Sequence, residues 1–173
     1  MNLKLQNFIF SILFLYSSAV FAQDVSLLAQ FNGRYDFTFI GNTMNVAQNI
    51  ANDPCIVLTS SSADLTLNAD DEIIAAYLYW SGSGTGDSSI KLNEIEIAPE
   101  RNFELFSEQT GLPFFSSFTD ITSQIIATGN GTYTVSEFDI SSFLTSENYC
   151  QNATNYAGWA IVIIYKNDSL PLN

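Results

Sequence analysis

The chain has 173 residues, of which 5 are Lys or Arg, 18 are Asp or Glu and none is His, for a formal net charge of −13. So acidic a surface repels phosphate backbones and anionic lipid headgroups, which disfavours nucleic acid and membrane surfaces as partners. Aromatic residues make up 14% of the chain, too many for a disordered polymer. The absence of His removes the commonest general base, the commonest metal ligand and every Ser–His or Cys–His nucleophile pair.

Residues 1–22 have the pattern of a cleaved secretory signal. Lys4 supplies a sparse positive start, Phe8 to Tyr16 is apolar except for Ser11, and Val20 and Ala22 stand at the positions a signal peptidase reads. The apolar run is shorter than the roughly 20 residues that cross a bilayer. The expected mature piece, residues 23–173, begins at Gln23 and carries −14 once Lys4 is gone. Its length fits one domain with a sizeable core. Export also sets the redox environment. Cys55 and Cys150 are expected to form a disulfide, because neither has a nearby His or second Cys for metal or thiol chemistry. The bond would close a loop of 95 residues (150 − 55), stabilising the fold by about 4 kcal/mol in the chain-entropy view.

In chain order, Tyr35 to Ile40 alternates and stops at Gly41-Asn42, Cys55 to Thr59 follows the turn initiator Asp53-Pro54, and Ala63 to Leu67 alternates again. Ile73 to Trp80 is nearly continuous in apolar residues, as expected of a central strand buried on both faces. Ser81 to Asp87 is expected to be a mobile loop. In Ser89 to Ile97 the apolar phase changes at Asn93-Glu94, which predicts a turn or bulge there. Phe103 to Phe106 and Pro113 to Phe118 continue the strand pattern. One short helix is expected after Asp120, with Ile121, Ile125 and Ile126 on its apolar face and Gly129 closing it. Gly131 to Val135 and Trp159 to Tyr165 are further strands, and Ser136 to Leu144 fits either a strand or a helical turn. The sum is an all-β domain, a β-sandwich or jelly roll with one short helix. Leu170-Pro171-Leu172 resembles the approach to another strand, so the domain is expected to be truncated at its C-terminal end, an N-terminal fragment of a larger protein.

Candidate chemistry is sparse. Asp64, Asn68, Asp70, Asp71 and Glu72 offer oxygen ligands around one turn, as calcium requires, although Asn-Ala-Asp-Asp is also ordinary turn chemistry. Carboxylate pairs for glycosidic chemistry are not indicated by spacing in sequence. Trp80 and Trp159, with Tyr77, Tyr79, Tyr133 and Tyr156, could stack on sugar rings if exposed, whereas their aliphatic neighbours place them in a core.

Four stretches taken together carry a resemblance: Ala75 to Ser83, Phe118 to Thr122, Gly129 to Val135 and Ala157 to Tyr165. In this order and spacing the chain resembles the N-terminal β-sandwich domain of large flavobacterial cell-surface proteins that end in a gliding-motility-associated C-terminal sorting domain. The resemblance spans roughly residues 31–173 and implies an adhesive or architectural role, with type IX secretion for the parent protein. The function expected is therefore an exported, secreted or cell-surface module without catalysis of its own, contacting an extracellular glycan or protein. The alternative is a carbohydrate-binding module of a larger polysaccharide-active protein.

Overall fold

The computed structural model describes residues 27–48, 55–87, 89–144 and 148–173. The signal-peptide assignment, residues 1–22, and the Asp53-Pro54 turn lie outside the described residues. Residues 32–173 form one compact unit, and the fold below is that unit.

Its strands are β1 (Tyr35–Thr43), β2 (Ser61–Leu65), β3 (Glu72–Ser83), β4 (Ile90–Leu92), β5 (Ile95–Ile97), β6 (Arg101–Phe106), β7 (Pro113–Asp120), β8 (Gly131–Ser136) and β9 (Ala157–Lys166). A single short helix, α1 (Thr122–Thr128), and a 3₁₀ turn, Ser141–Phe143, complete the described elements. Two antiparallel sheets result, a five-stranded one in the order β1-β9-β3-β7-β6 and a four-stranded one in the order β2-β8-β4-β5. The all-β, sandwich-like architecture expected from the sequence is therefore present.

The apolar run in β3 sits in the middle strand of the larger sheet, paired to β9 on one side and β7 on the other. Ala76, Leu78 and Trp80 point inward from β3, in register with Ile163, Ile161 and Trp159 of β9. Against them pack Leu65, Ile90, Leu92, Tyr133 and Val135 from the smaller sheet, with Ile121, Ile125, Phe138 and Ile140 closing the sides. Buried hydroxyls find partners: the Tyr133 phenol donates to the Gly129 carbonyl at 2.6 Å, and among the described residues no buried side-chain N or O is left without one.

The phase change at Asn93-Glu94 is a two-residue hairpin turn between β4 and β5, with both residues at positive φ (48° and 66°). That is the mirror-image turn whose twist matches paired strands. Asn93 suits it, and its side chain accepts the Thr134 N–H at 2.8 Å. Around α1, Asp120 accepts the Thr122 N–H at 2.8 Å and Gly129 turns the chain at φ 68°.

Three sequence expectations are corrected. Cys55 to Thr59 forms no strand. Its backbone bonds to two different elements, Leu58 N–H to the Met44 carbonyl and the Thr59 carbonyl to Phe138 N–H, leaving only one bridge, Val57 to Asn45. Ile126 faces solvent rather than the core. The Ser81–Asp87 stretch is half strand. Its glycines serve geometry: Gly84 lies at φ 95° under the Phe143 ring, where a Cβ would sit 2.4 Å from the ring. Residues 171–173 adopt no regular element, and Asn173 N–H bonds to the Gly33 carbonyl at 2.8 Å.

Cys55 and Cys150 are disulfide-bonded, with Cα atoms 5.5 Å apart. The bond joins the segment after β1 to the segment before β9, which also share the hydrogen bond from the Asn45 side chain to the Asn155 carbonyl at 2.9 Å. Replacing both cysteines with Ser is expected to cost about 4 kcal/mol. At roughly 2–4 °C per kcal/mol for a domain of this size, thermal unfolding should show a drop in Tm on the order of 10 °C. Glu94→Gly, which relieves a non-glycine residue from the left-handed region, should raise stability by about 1 kcal/mol in urea titration.

Candidate functional site

Alternation along a strand gives each sheet two faces, and in this molecule the two outward faces differ in chemistry. On the smaller sheet the outward side chains are polar and paired with each other. Ser62 meets Thr134 at 2.8 Å, Asp64 accepts from Thr132 at 2.6 Å, and Lys91 is ion-paired to Glu137 at 2.5 Å.

The larger sheet is the opposite. Its outward rows, read across the strands, are Phe37-Ile164-Ala75, then Phe39-Val162-Tyr77-Asp120, then Gly41-Ala160-Tyr79-Phe118-Arg101, then Thr43-Gly158-Ser81-Ser116-Phe103. Phe118 is buried because the Tyr77 and Tyr79 rings lean on it, with centroids at 5.6 and 5.2 Å, and the Arg101 guanidinium lies 5.6 Å above it. Burial raises the Tyr77 phenol pKa, and the charge of Asp120 adds to that. At one end of the face the Tyr156 ring stacks on Phe114 at 5.8 Å. Burial raises its pKa, opposed by a hydrogen bond with the Ser81 side chain.

Several of these groups remain in water. Phe37 is 63% exposed, Phe39 69% and Leu105 69%, with Tyr79 and Phe103 near the exposure of a surface residue. Covering each of the three most exposed side chains is worth on the order of 1–2 kcal/mol, before the costs of association. A folded chain rarely leaves so contiguous an apolar face open without an interaction to fill it.

The residues singled out from the sequence are placed differently. Trp80 and Trp159 are 1% and 5% exposed and lie directly opposite each other in the core. Their indole N–H groups are satisfied internally, by the Asp87 carbonyl at 3.1 Å and the Ser61 hydroxyl at 2.8 Å. Neither can offer a ring to an external sugar. Tyr133 is likewise interior, whereas Tyr79 and Tyr156 reach the surface.

The calcium candidates do not converge either. Asp64 is spent on Thr132, and the Asp71 carboxylate receives Asn167 Nδ2 at 2.6 Å together with Asn68 N and Nδ2 at 2.9 Å. Asn68, Asp70 and Glu72 surround this turn without completing a coordination set, and among the described residues no three acidic, Cys or His side chains gather to hold a metal ion. Among the described residues, no helix is long and apolar enough to cross a membrane.

The outward Phe37, Phe39, Phe103 and Leu105 were missed by sequence reasoning. The period-2 signal was there, but it marks two faces without saying which is inside. In comparison with known proteins, the chain matches no family model, no curated protein and no solved structure.

The Asn167 amide above all, with Asn68, holds the Asp71 carboxyl below the usual carboxylate range. A depressed folded-state pKa gives stability that is complete at neutral pH and is lost as acid protonates the group, below about pH 4. Asp71→Asn should therefore flatten the acid limb of a Tm-against-pH profile. An unchanged acid limb would show that the Asn68–Asp71–Asn167 cluster does not couple to folding.

Proposed function

We propose that the chain is an exported module of cell-surface adhesion or envelope architecture, without catalysis of its own, working through the outward face of the five-stranded sheet. The observation that carries this reading is the asymmetry of the two sheets: one outward face is self-paired and polar, the other aromatic and open. The Cys55–Cys150 bond fits an oxidising compartment outside the cytosol. The partner favoured is a protein surface, because the face offers apolar area and rings with few free hydrogen-bonding groups. Gliding-motility association and type IX secretion are part of the same proposal.

A second reading, glycan binding, is favoured by one feature, the exposed rings of Phe39, Tyr79 and Phe103 on a common face. It moves the sugar platform from the interior indoles to these side chains.

Display of the chain on a non-adherent bacterium should increase attachment to protein-coated surfaces. Phe37→Glu with Phe39→Glu, on the same face, should lower attachment at least tenfold while leaving the melting curve near wild type. Equal attachment by the double variant would overturn the reading. Retention on polysaccharide columns that is lost in Tyr79→Ala would transfer the function to glycan recognition.

A further inference from the structure

The described residues leave four sheet edges, and three of them are short or partly capped by side chains. On β1, the Met44 N–H bonds to the Ala157 carbonyl, so the odd-numbered residues turn their backbone groups outward. Two of those outward N–H groups are already occupied: Phe37 N–H by the Asp36 carboxylate and Thr43 N–H by the Asn42 amide oxygen, both at 2.8 Å. Strand β2 receives the Asn42 side chain on its Ser62 carbonyl at 2.8 Å, and β5 has only 3 residues.

Strand β6 differs. It has 6 residues, all exposed, and pairs only with β7. The register places Phe106 opposite Pro113, which has no N–H, and Ser107 N–H bonds to the Leu112 carbonyl at 3.0 Å. Both observations assign Arg101, Phe103 and Leu105 to the ladder with β7. The N–H and C=O groups of Asn102, Glu104 and Phe106 therefore point away from the sheet. No side chain among the described residues closes them, and an open edge of this length is a template for another strand.

We infer that β6 docks a second copy of this chain, paired antiparallel to its own β6 about a two-fold axis at Phe103. The free groups at the middle of the strand, those of Asn102 and Glu104, must enter the new ladder, and two-fold symmetry limits the registers that pair them; the Phe103-centred one leaves Phe106 opposite Glu100, whose N–H is taken by the Phe118 carbonyl. Centring on Glu104 sets the two Glu104 carboxylates opposite each other, which is repulsive. Centring on Phe103 sets Asn102 against Glu104 of the second copy, twice, and Phe103 against Phe103. Asn102 is prepared for this contact. Its amide oxygen already accepts the Ser117 hydroxyl at 2.7 Å, which leaves its NH₂ to donate to a carboxylate. The Phe103 pair lies in the close, non-hydrogen-bonded position and joins the two outward faces into one ten-stranded surface.

A short edge-to-edge contact makes a weak dimer, and the chain's charge of −13 opposes it at low salt. Sedimentation velocity of the exported chain should show a monomer–dimer equilibrium at tens to hundreds of micromolar that strengthens from low to physiological salt. Glu104→Pro, which removes an outward N–H and no bond to β7, should abolish the dimer, with circular dichroism to confirm folding. Phe103→Cys should cross-link to a covalent dimer under mild oxidation, while Leu105→Cys should not. A monomer at every concentration and salt overturns the inference, as does a dimer that survives Glu104→Pro or cross-links equally through Leu105→Cys. The adhesion test uses β1 residues away from this edge, so either proposal can fail without the other.

Discussion

The ladder between β3 and β9 positions every other element of this domain. It runs from Glu72–Lys166 to Gly82–Ala157, with one irregularity between Ile73 and Ala75. Because both strands are apolar on their inward side, the ladder carries the Trp80–Trp159 pair, Leu78–Ile161 and Ala76–Ile163 as one wall of the core. The strands flanking it, β1 and β7, inherit their register from it, and the disulfide ties down the segments that enter and leave β1 and β9. The smaller sheet supplies the opposite wall, and α1 fills one side by burying Ile125 against β3.

The same ladder creates the exposed face. A strand that is apolar on both sides stabilises the interior through one set of side chains and must present the other set somewhere. In β9 the outward set is Gly158, Ala160, Val162 and Ile164, half-buried by neighbours on β1 and β3. On β3 it includes Tyr77 and Tyr79, whose rings seal Phe118. The covering groups at the sheet margins, Phe37, Phe39 and Leu105, have no further layer above them and so stand in water. The apolar outward face is thus a consequence of how the central strands are built, and the side chains at its margins carry the most uncovered apolar surface.

Much of the architecture was legible in the sequence, for physical reasons that also explain the failures. The long apolar run of β3 announced a central strand, and the slip of phase at Asn93-Glu94 announced the hairpin, because both are properties of local backbone periodicity. The Cys55–Cys150 bond followed from the expectation of an oxidising compartment and the count of two cysteines. What remained hidden was orientation. Tyr35 to Thr43 alternates equally well with Phe37 and Phe39 in or out, and only the register against β9 turns Ile40 inward and the rings outward. Trp80 and Trp159 suffered the reverse ambiguity, since ring chemistry suits a core as well as a sugar platform. The acidic turn at Asn68 to Glu72 looked like a ligand set because sequence shows adjacency, whereas Asp71 is in fact committed to Asn68 and to a distant residue, Asn167.

Charge reconciles the acidic composition with an apolar face. Many of the carboxylates occupy strand ends and turns: Asp36 and Asp120 lie near the ends of β1 and β7, Glu100 and Glu108 bracket β6, and Asp70, Asp71 and Asp168 lie outside the strands, whereas Asp64, Glu96 and Glu104 stand within β2, β5 and β6. Within the outward rows of the five-stranded sheet the charged groups are Arg101, which is drawn over the Phe118 ring, and Asp120 at the margin. Carboxylates near the face oppose the close approach of a second copy unless the contact leaves them in water. Non-specific apolar collapse between copies would force those carboxylates together at short range, where screening is weakest. The arrangement therefore sets exposed apolar side chains beside charged groups that oppose non-specific association of copies.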